Sequence, residues 1–280
     1  MRHVLRVPKT VDCVQNILTV IPLQLMSYHI AELNGQNAES LPTAIVNTLA
    51  RLFTRYLSEC KVPNQWKTSR TVLLYKKGDP QDIGNYRLIC LLSVVFKLFT
   101  RVILNRIERT LDEGQPCEQA GFRKGFSTID HIHTVTRLIE VLREYKMPLC
   151  LTFIDLKKAF DTVETEAVLE ALGNQGVPTQ YIRKFRELYS NFTTRISPFY
   201  DDITIDVRRG VRQGDTVSPK LFTAILEDVM RRLEWDNMGV RVDGRLLHHL
   251  RFADDIVLIT PNISQAERML ATRVERSVSN

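Results

Sequence analysis

Five cysteines stand in 280 residues, and no two of them form a CxxC pair. That removes the zinc ribbons and the dithiol redox sites built on this spacing. The odd number and the apolar surroundings of Cys13, Cys60, Cys90, Cys117 and Cys150 point to reduced, mostly buried thiols in an intracellular protein. No long hydrophobic run is present either. The best candidate, residues 11–26, is broken by Asp12, Gln15 and Asn16, which excludes it as a bilayer span and gives no reason to expect a membrane partner. Internal repeats and low-complexity tracts are also missing, so solenoid and fibrous architectures drop out. Acids are absent from the first ten residues, where Arg2, Arg6 and Lys9 stand alone. This stretch reads as part of an ill-defined N-terminal extension, residues 1–40, rather than a transit peptide.

What is present is a core-forming chain with a net charge of +6 and a pI near 9.1. A basic balance of this size favours an anionic partner. Helical spacing of apolar residues runs through 44–60, 93–111 and 132–145, the last with Ile132, Val135, Ile139 and Leu142 expected inward. Short β-favouring runs occupy 71–75 and 149–155, and 195–200 with 203–208 reads as a hairpin. Further helices are expected near 164–172 and 181–192, the first ended by Gly173 and Gly176. Another begins at Pro219, with Phe222, Ile225, Leu226, Val229 and Leu233 inward. Asp243-Gly244 is a turn signal, and Ser264 with Glu267 reads as a capping box for a last helix. Helices mixed with short antiparallel strands define an α+β protein.

The chemistry gathers at two acidic strand ends. Around Phe252-Ala253-Asp254-Asp255-Ile256-Val257, two apolar runs flank adjacent aspartates, as in a buried hairpin whose turn holds both acids. Asp-Asp is also ordinary turn chemistry. Two like charges at an apolar lip need a cation to offset them, and hard oxygen ligands suit Mg²⁺ or Mn²⁺ better than zinc. A second apolar run, Leu149-Cys150-Leu151-Thr152-Phe153-Ile154, ends on Asp155 before the pattern turns helical. Asp155 could cap that helix. Together with Asp254 and Asp255, however, it supplies the carboxylates that hold two cations about 3.5–4 Å apart for an in-line phosphoryl displacement.

Five blocks in fixed order then carry a resemblance. They are residues 66–92 (WKTSRTVLLYKKGDPQDIGNYRLICLL), 118–131 (EQAGFRKGFSTIDH), 153–163 (FIDLKKAFDTV), 210–222 (GVRQGDTVSPKLF) and 252–258 (FADDIVL). From about residue 40 onward the chain resembles the reverse transcriptase domain of non-long-terminal-repeat retrotransposons of the jockey and RTE kind. The wording of FIDLKKAFDTV and GVRQGDTVSP sets it apart from the maturase-like and telomerase-like relatives that share the acids. The resemblance implies a right-hand polymerase with fingers in residues 41–146 and an antiparallel palm sheet in 147–280, ending before a thumb, so that the last helix is expected to expose Met269, Leu270 and Val274. It implies RNA-directed DNA synthesis from dNTPs on a DNA primer and RNA template, in the cytoplasm or nucleus. Asp155, Asp254 and Asp255 become the ligands of two Mg²⁺ or Mn²⁺ ions. Lys76, Lys77, Arg87, Phe160, Gln213 and Gly214 become the dNTP-binding set, with Phe160 closing against the sugar 2′ carbon. Gly121, Arg123 and Lys124 become contacts to nucleic acid. Two departures stand out. Leu88 occupies the place of the proline that follows the family's Asn-Tyr-Arg, and an upstream glycine-rich segment is not recognisable. With no thumb expected, a decayed copy that binds nucleic acid without catalysis is the alternative.

Overall fold

The computed structural model describes residues 43–278, apart from 198–200, 234, 236 and 243. The expected residues 1–40, Asp243 and the side chain of Val274 therefore lie outside the described set. The described residues divide into two compact units. One takes residues up to Phe99, Arg183–Arg208 and Arg212–Asp215; the other takes Thr100–Ile182, Arg209–Val211 and the chain from Thr216 onward.

The first unit is built on a four-stranded sheet in the order β2-β1-β4-β5. Strands β1 (Thr68–Tyr75) and β2 (Tyr86–Leu91) form an antiparallel hairpin. Strand β4 (Thr193–Ile196) runs parallel to β1 and antiparallel to β5 (Ile203–Asp206), the hairpin expected from the sequence. Helix α1 (Thr43–Glu59) brings Phe53 and Tyr56 against Trp66, Phe96 and Phe99. Their edge-on contacts are the arrangement that ring quadrupoles prefer.

The second unit carries a three-stranded antiparallel sheet, β3 (Cys150–Asp155), β9 (Asp255–Thr260) and β8 (His249–Phe252), in that order. A separate hairpin pairs β6 (Val240–Val242) with β7 (Arg245–Leu247). One face of the three-stranded sheet lies under helices α7 (Ser218–Arg231) and α8 (Ile263–Val278). Ile154, Ile256 and Leu258 from the strands line a small apolar cavity there with Leu226, Met230 and Met269. The opposite face is covered only towards its far end, where Leu250 and Ile259 meet Leu138 and Leu142 of α3 (Thr128–Glu144). Helix α2 (Val94–Glu113) contributes Ile103, Leu104, Ile107 and Leu111 to the interior. The short α4 (Ala159–Thr162), α5 (Thr165–Asn174) and α6 (Thr179–Tyr189) follow β3 in the chain.

Several local expectations change, among them Val229 of α7, expected inward but 45% exposed. Helix α3 turns Leu138 inward beside Leu142, while Ile132 is 62% and Ile139 44% exposed, so the buried stripe is rotated from the one the spacing suggested. Its start is set by a capping box of Ser127 and Asp130. Helix α8 is capped by Asn262, whose Oδ1 accepts from the Gln265 amide at 2.9 Å, rather than by Ser264. Of the four cysteines described, Cys117 is exposed and the others are half-buried; all four are free thiols. No helix among the described residues is long and apolar enough to cross a membrane.

Candidate active site

Residues directly opposite one another in an antiparallel pair point to the same face of the sheet. In the β3–β9 register Asp155 stands opposite Asp255, and in the β8–β9 register Phe252 stands opposite Asp255. Asp155 and Asp255 thus share the face that α7 and α8 leave open. Phe153, two residues before Asp155 on that face, is 75% exposed. Asp155 is not a helix cap: the residue preceding α4 is Lys158, held in a left-handed conformation at φ 52°. Asp254 lies in the two-residue turn between β8 and β9, next to Ala253 at φ 57°. A left-handed alanine costs about 1 kcal/mol relative to an ordinary conformation. The surrounding contacts must hold it there.

Burial first, then the charges of Asp254 and Asp155, raise the Asp255 carboxyl above its ordinary range. Asp155, Asp254 and Asp255 have no ion-pair partner among the described residues. Their oxygens are therefore acceptors that repel one another and lack a counter-charge, the donor set a hard divalent cation neutralises. Among the described residues no three His, Cys, Asp or Glu side chains form a ready-made metal cage. A cation here would draw on carboxylates that the backbone aligns, rather than on a closed shell.

The turn is braced by residues that sequence reading passed over. Arg251 is 1% exposed and donates from Nη2 to Glu227 Oε2 at 2.7 Å. Segment 118–121 runs beside β8: the Arg251 amide donates to Glu118 O at 2.7 Å, and the Ala120 amide donates to Arg251 O at 3.0 Å. His131 Nε2 also reaches Arg251 O, at 2.9 Å. The hydrophobic periodicity of β8 gave no hint that a charged residue at its centre would be fully buried.

The nucleotide-binding candidates fall in two places. In the first unit, Arg87 Nε donates to Gln213 Oε1 at 3.1 Å. The Gln213 carbonyl accepts from the Cys90 amide at 2.8 Å, which fixes the loop on β2. Gly214, at φ 110°, passes so close that a Cβ there would lie 2.7 Å from Cys90 O, so only glycine fits. Lys76 and Lys77 are exposed just beyond β1, with the Lys76 amide donating to Asn85 O. The same loop hides a cation: Arg212 is 3% exposed and lies over the rings of Phe192, Phe96 and Tyr189 at 3.8, 4.9 and 5.0 Å. It donates to the carbonyls of Leu188 and Trp66. Burial lowers its pKa from the usual guanidinium value.

In the second unit, Phe160 stacks on Phe222 with ring centroids 4.5 Å apart and meets Phe122 edge-on at 6.0 Å. Its carbonyl accepts from the Val211 amide at 2.8 Å. Of the three expected nucleic-acid contacts, Gly121 is buried against the Ala253 backbone. Arg123 is half-buried, donating to Pro116 O at 3.0 Å and lying over Phe126 at 4.3 Å. Lys124 is exposed.

An open sheet face ending in opposed aspartates, in a mixed α+β chain, is a candidate seat for divalent cations. The family described as reverse transcriptase (RNA-dependent DNA polymerase) matches residues 75–279. This chain belongs to that family, and its relatives come from non-long-terminal-repeat retrotransposons. It is 31% identical over 238 residues to the retrovirus-related Pol polyprotein of type-1 retrotransposable element R2 from Popillia japonica, covering 82% of this chain and 33% of that one. It is 30% identical to the probable RNA-directed DNA polymerase of transposon BS from Drosophila melanogaster, over 79% of this chain and 24% of the relative. The jockey RNA-directed DNA polymerase of the same fly is 25% identical over 91% of this chain and 28% of its own. The chain thus spans about a quarter to a third of the length of these curated relatives. Among solved structures, apo telomerase from Candida tropicalis, truncated of its C-terminal domain, superposes with a TM-score of 0.54 at 16% identity. That match covers 82% of this chain and 51% of the telomerase, and it shows the shared right-hand polymerase fold.

Proposed function

We propose that the chain catalyses RNA-directed DNA synthesis, joining the α-phosphate of a dNTP to a primer 3′-hydroxyl opposite an RNA template. The observation that carries this reading is the register of β3 with β9, which sets Asp155 against Asp255 on an open face beside Asp254. Two Mg²⁺ or Mn²⁺ ions bound there would lower the pKa of the primer hydroxyl and neutralise the leaving pyrophosphate. Asp155, Asp254 and Asp255 would hold them. The family's chemistry depends on divalent cations in general; the number of ions and their ligands are our reading.

Arg87 is the phosphate-gripping residue, its guanidinium steadied by Gln213 and able to bond phosphate oxygens in pairs. Lys76 and Lys77 add positive charge, and Gln213 with Gly214 forms the loop that receives the base. Phe160, locked between Phe222 and Phe122, is the rigid ring that leaves no space for a 2′-hydroxyl. Arg123 and Lys124 bind the template backbone, whereas Gly121 serves by letting two backbones approach. In this scheme residues 41–146 do the work of fingers and residues 147–280 that of the palm.

Primer extension on an RNA template tests the reading. Wild-type chain should extend the primer with dNTPs, and Asp155→Asn should reduce the rate by at least ~10²-fold while leaving primer–template affinity unchanged. A wild-type chain that binds the duplex with full affinity yet never extends it would instead establish the binding-only alternative.

A further inference from the structure

One buried amide meets both backbone polar groups of the left-handed residue in the acidic turn. Gln119 is 1% exposed, and its Oε1 accepts two backbone hydrogen bonds, from Gly121 at 2.8 Å and from Ala253 at 3.1 Å. Its Nε2 donates to Ala253 O at 3.4 Å. The side chain thus pairs with both polar groups of Ala253, much as a neighbouring strand would. Ala253 is the left-handed residue immediately before Asp254 and Asp255. Gly121 completes the clamp, because a Cβ there would lie 2.1 Å from Ala253 N. Segment 118–120 also hydrogen-bonds to Arg251 on β8, two residues before Ala253.

The sterics are specific. A non-glycine residue leaves the left-handed region unless it is held, and rotating Ala253 out of it would swing the two residues that follow. An apolar side chain at 119 would leave two buried amide groups unpaired. We propose that Gln119 is a positioning residue, which holds Ala253 so that Asp254 and Asp255 stay aligned with Asp155. The inference rests on the cation-binding role assigned to these aspartates above.

The experiment is Mn²⁺ titration of the whole chain, followed by water-proton relaxation, with urea unfolding of each variant alongside. Gln119→Leu should weaken Mn²⁺ binding about tenfold. Adding Ala253→Gly to that variant should recover part of the loss, since glycine takes the positive φ without being held there. Leu104→Ala, a buried change on a different element, α2, should lose comparable stability yet bind Mn²⁺ as wild type does. The proposal is overturned if Gln119→Leu binds Mn²⁺ normally, if the double variant recovers nothing, or if Leu104→Ala loses as much affinity. A wild-type chain that binds no Mn²⁺ overturns it together with the cation role of the aspartates. Normal binding by both wild type and Gln119→Leu removes only the part assigned to Gln119.

Discussion

Phe160 is proposed above as the sugar gate, and it also packs as part of the interior. Its stack on Phe222 is what a core aromatic would make, yet the same contacts give it the stiffness a sugar gate requires. Phe160→Val would remove that ring while keeping a β-branched apolar residue. The expected outcome is a ratio of ribonucleotide to deoxynucleotide incorporation raised by about tenfold or more, since a steric block worth about 1.4 kcal/mol already sets a factor of ten. Competitive incorporation assays measure it, and an unchanged ratio would leave Phe160 a packing residue only. His249 is a different residue-scale case. Burial, then the Arg251 charge, then His248 push its pKa down to about 2, and it shares a 2.5 Å ring hydrogen bond with His248. The unfolded chain takes up a proton there below about pH 6.5 and the folded chain does not, so stability falls with pH below that value. Between pH 7 and 5 the loss from this residue should be about 2 kcal/mol. Urea midpoints should show it, and His249→Gln should flatten the dependence.

At the scale of elements, the acidic hairpin was legible because its strands are short, β-favouring and bounded by charge. Both acidic strand ends and the long helices lie where periodicity put them. What the sequence hid were the partners of each element. Periodicity assigned Ile132, Val135, Ile139 and Leu142 to the buried side of α3; Leu142 and Val135 do join the cluster with Leu250 and Ile259, but Leu138 takes the inward place and Ile132 and Ile139 are exposed. Helix α8 was expected to expose Met269 and Leu270, yet Met269 is fully buried against the sheet and Leu270 lines the cavity beside it. Arg251, Glu227 and Gln119 gave no signal, because a polar residue in an apolar strand reads as an exposed one until its partner is known. The buried pair yields a prediction. Glu227→Gln leaves the Arg251 guanidinium buried without its counter-charge and should cost about 3 kcal/mol in urea unfolding. Replacing both residues together, as Arg251→Met with Glu227→Leu, should cost much less.

For the whole molecule, five ordered blocks specified the family where any one alone would not, and the acids, Arg87 and Gln213 were all named by them. Their assembly into separate units was not readable, because segments far apart in the chain contribute to each. The net charge of +6 belongs to this scale. If Lys76, Lys77, Arg87, Arg123 and Lys124 each displace a counterion, the log–log slope of primer–template affinity against salt should be about −4. A slope near zero would mean that the basic surface does not meet phosphate. Whether Asp155, Asp254 and Asp255 bind the cations of nucleotidyl transfer is decided by anomalous diffraction from crystals of the chain with Mn²⁺, primer–template and an unreactive dNTP analogue. Two Mn²⁺ peaks about 3.5–4 Å apart are expected, bonded to carboxylate oxygens of these aspartates. Manganese bound elsewhere, with the three carboxylates untouched, would contradict the assignment.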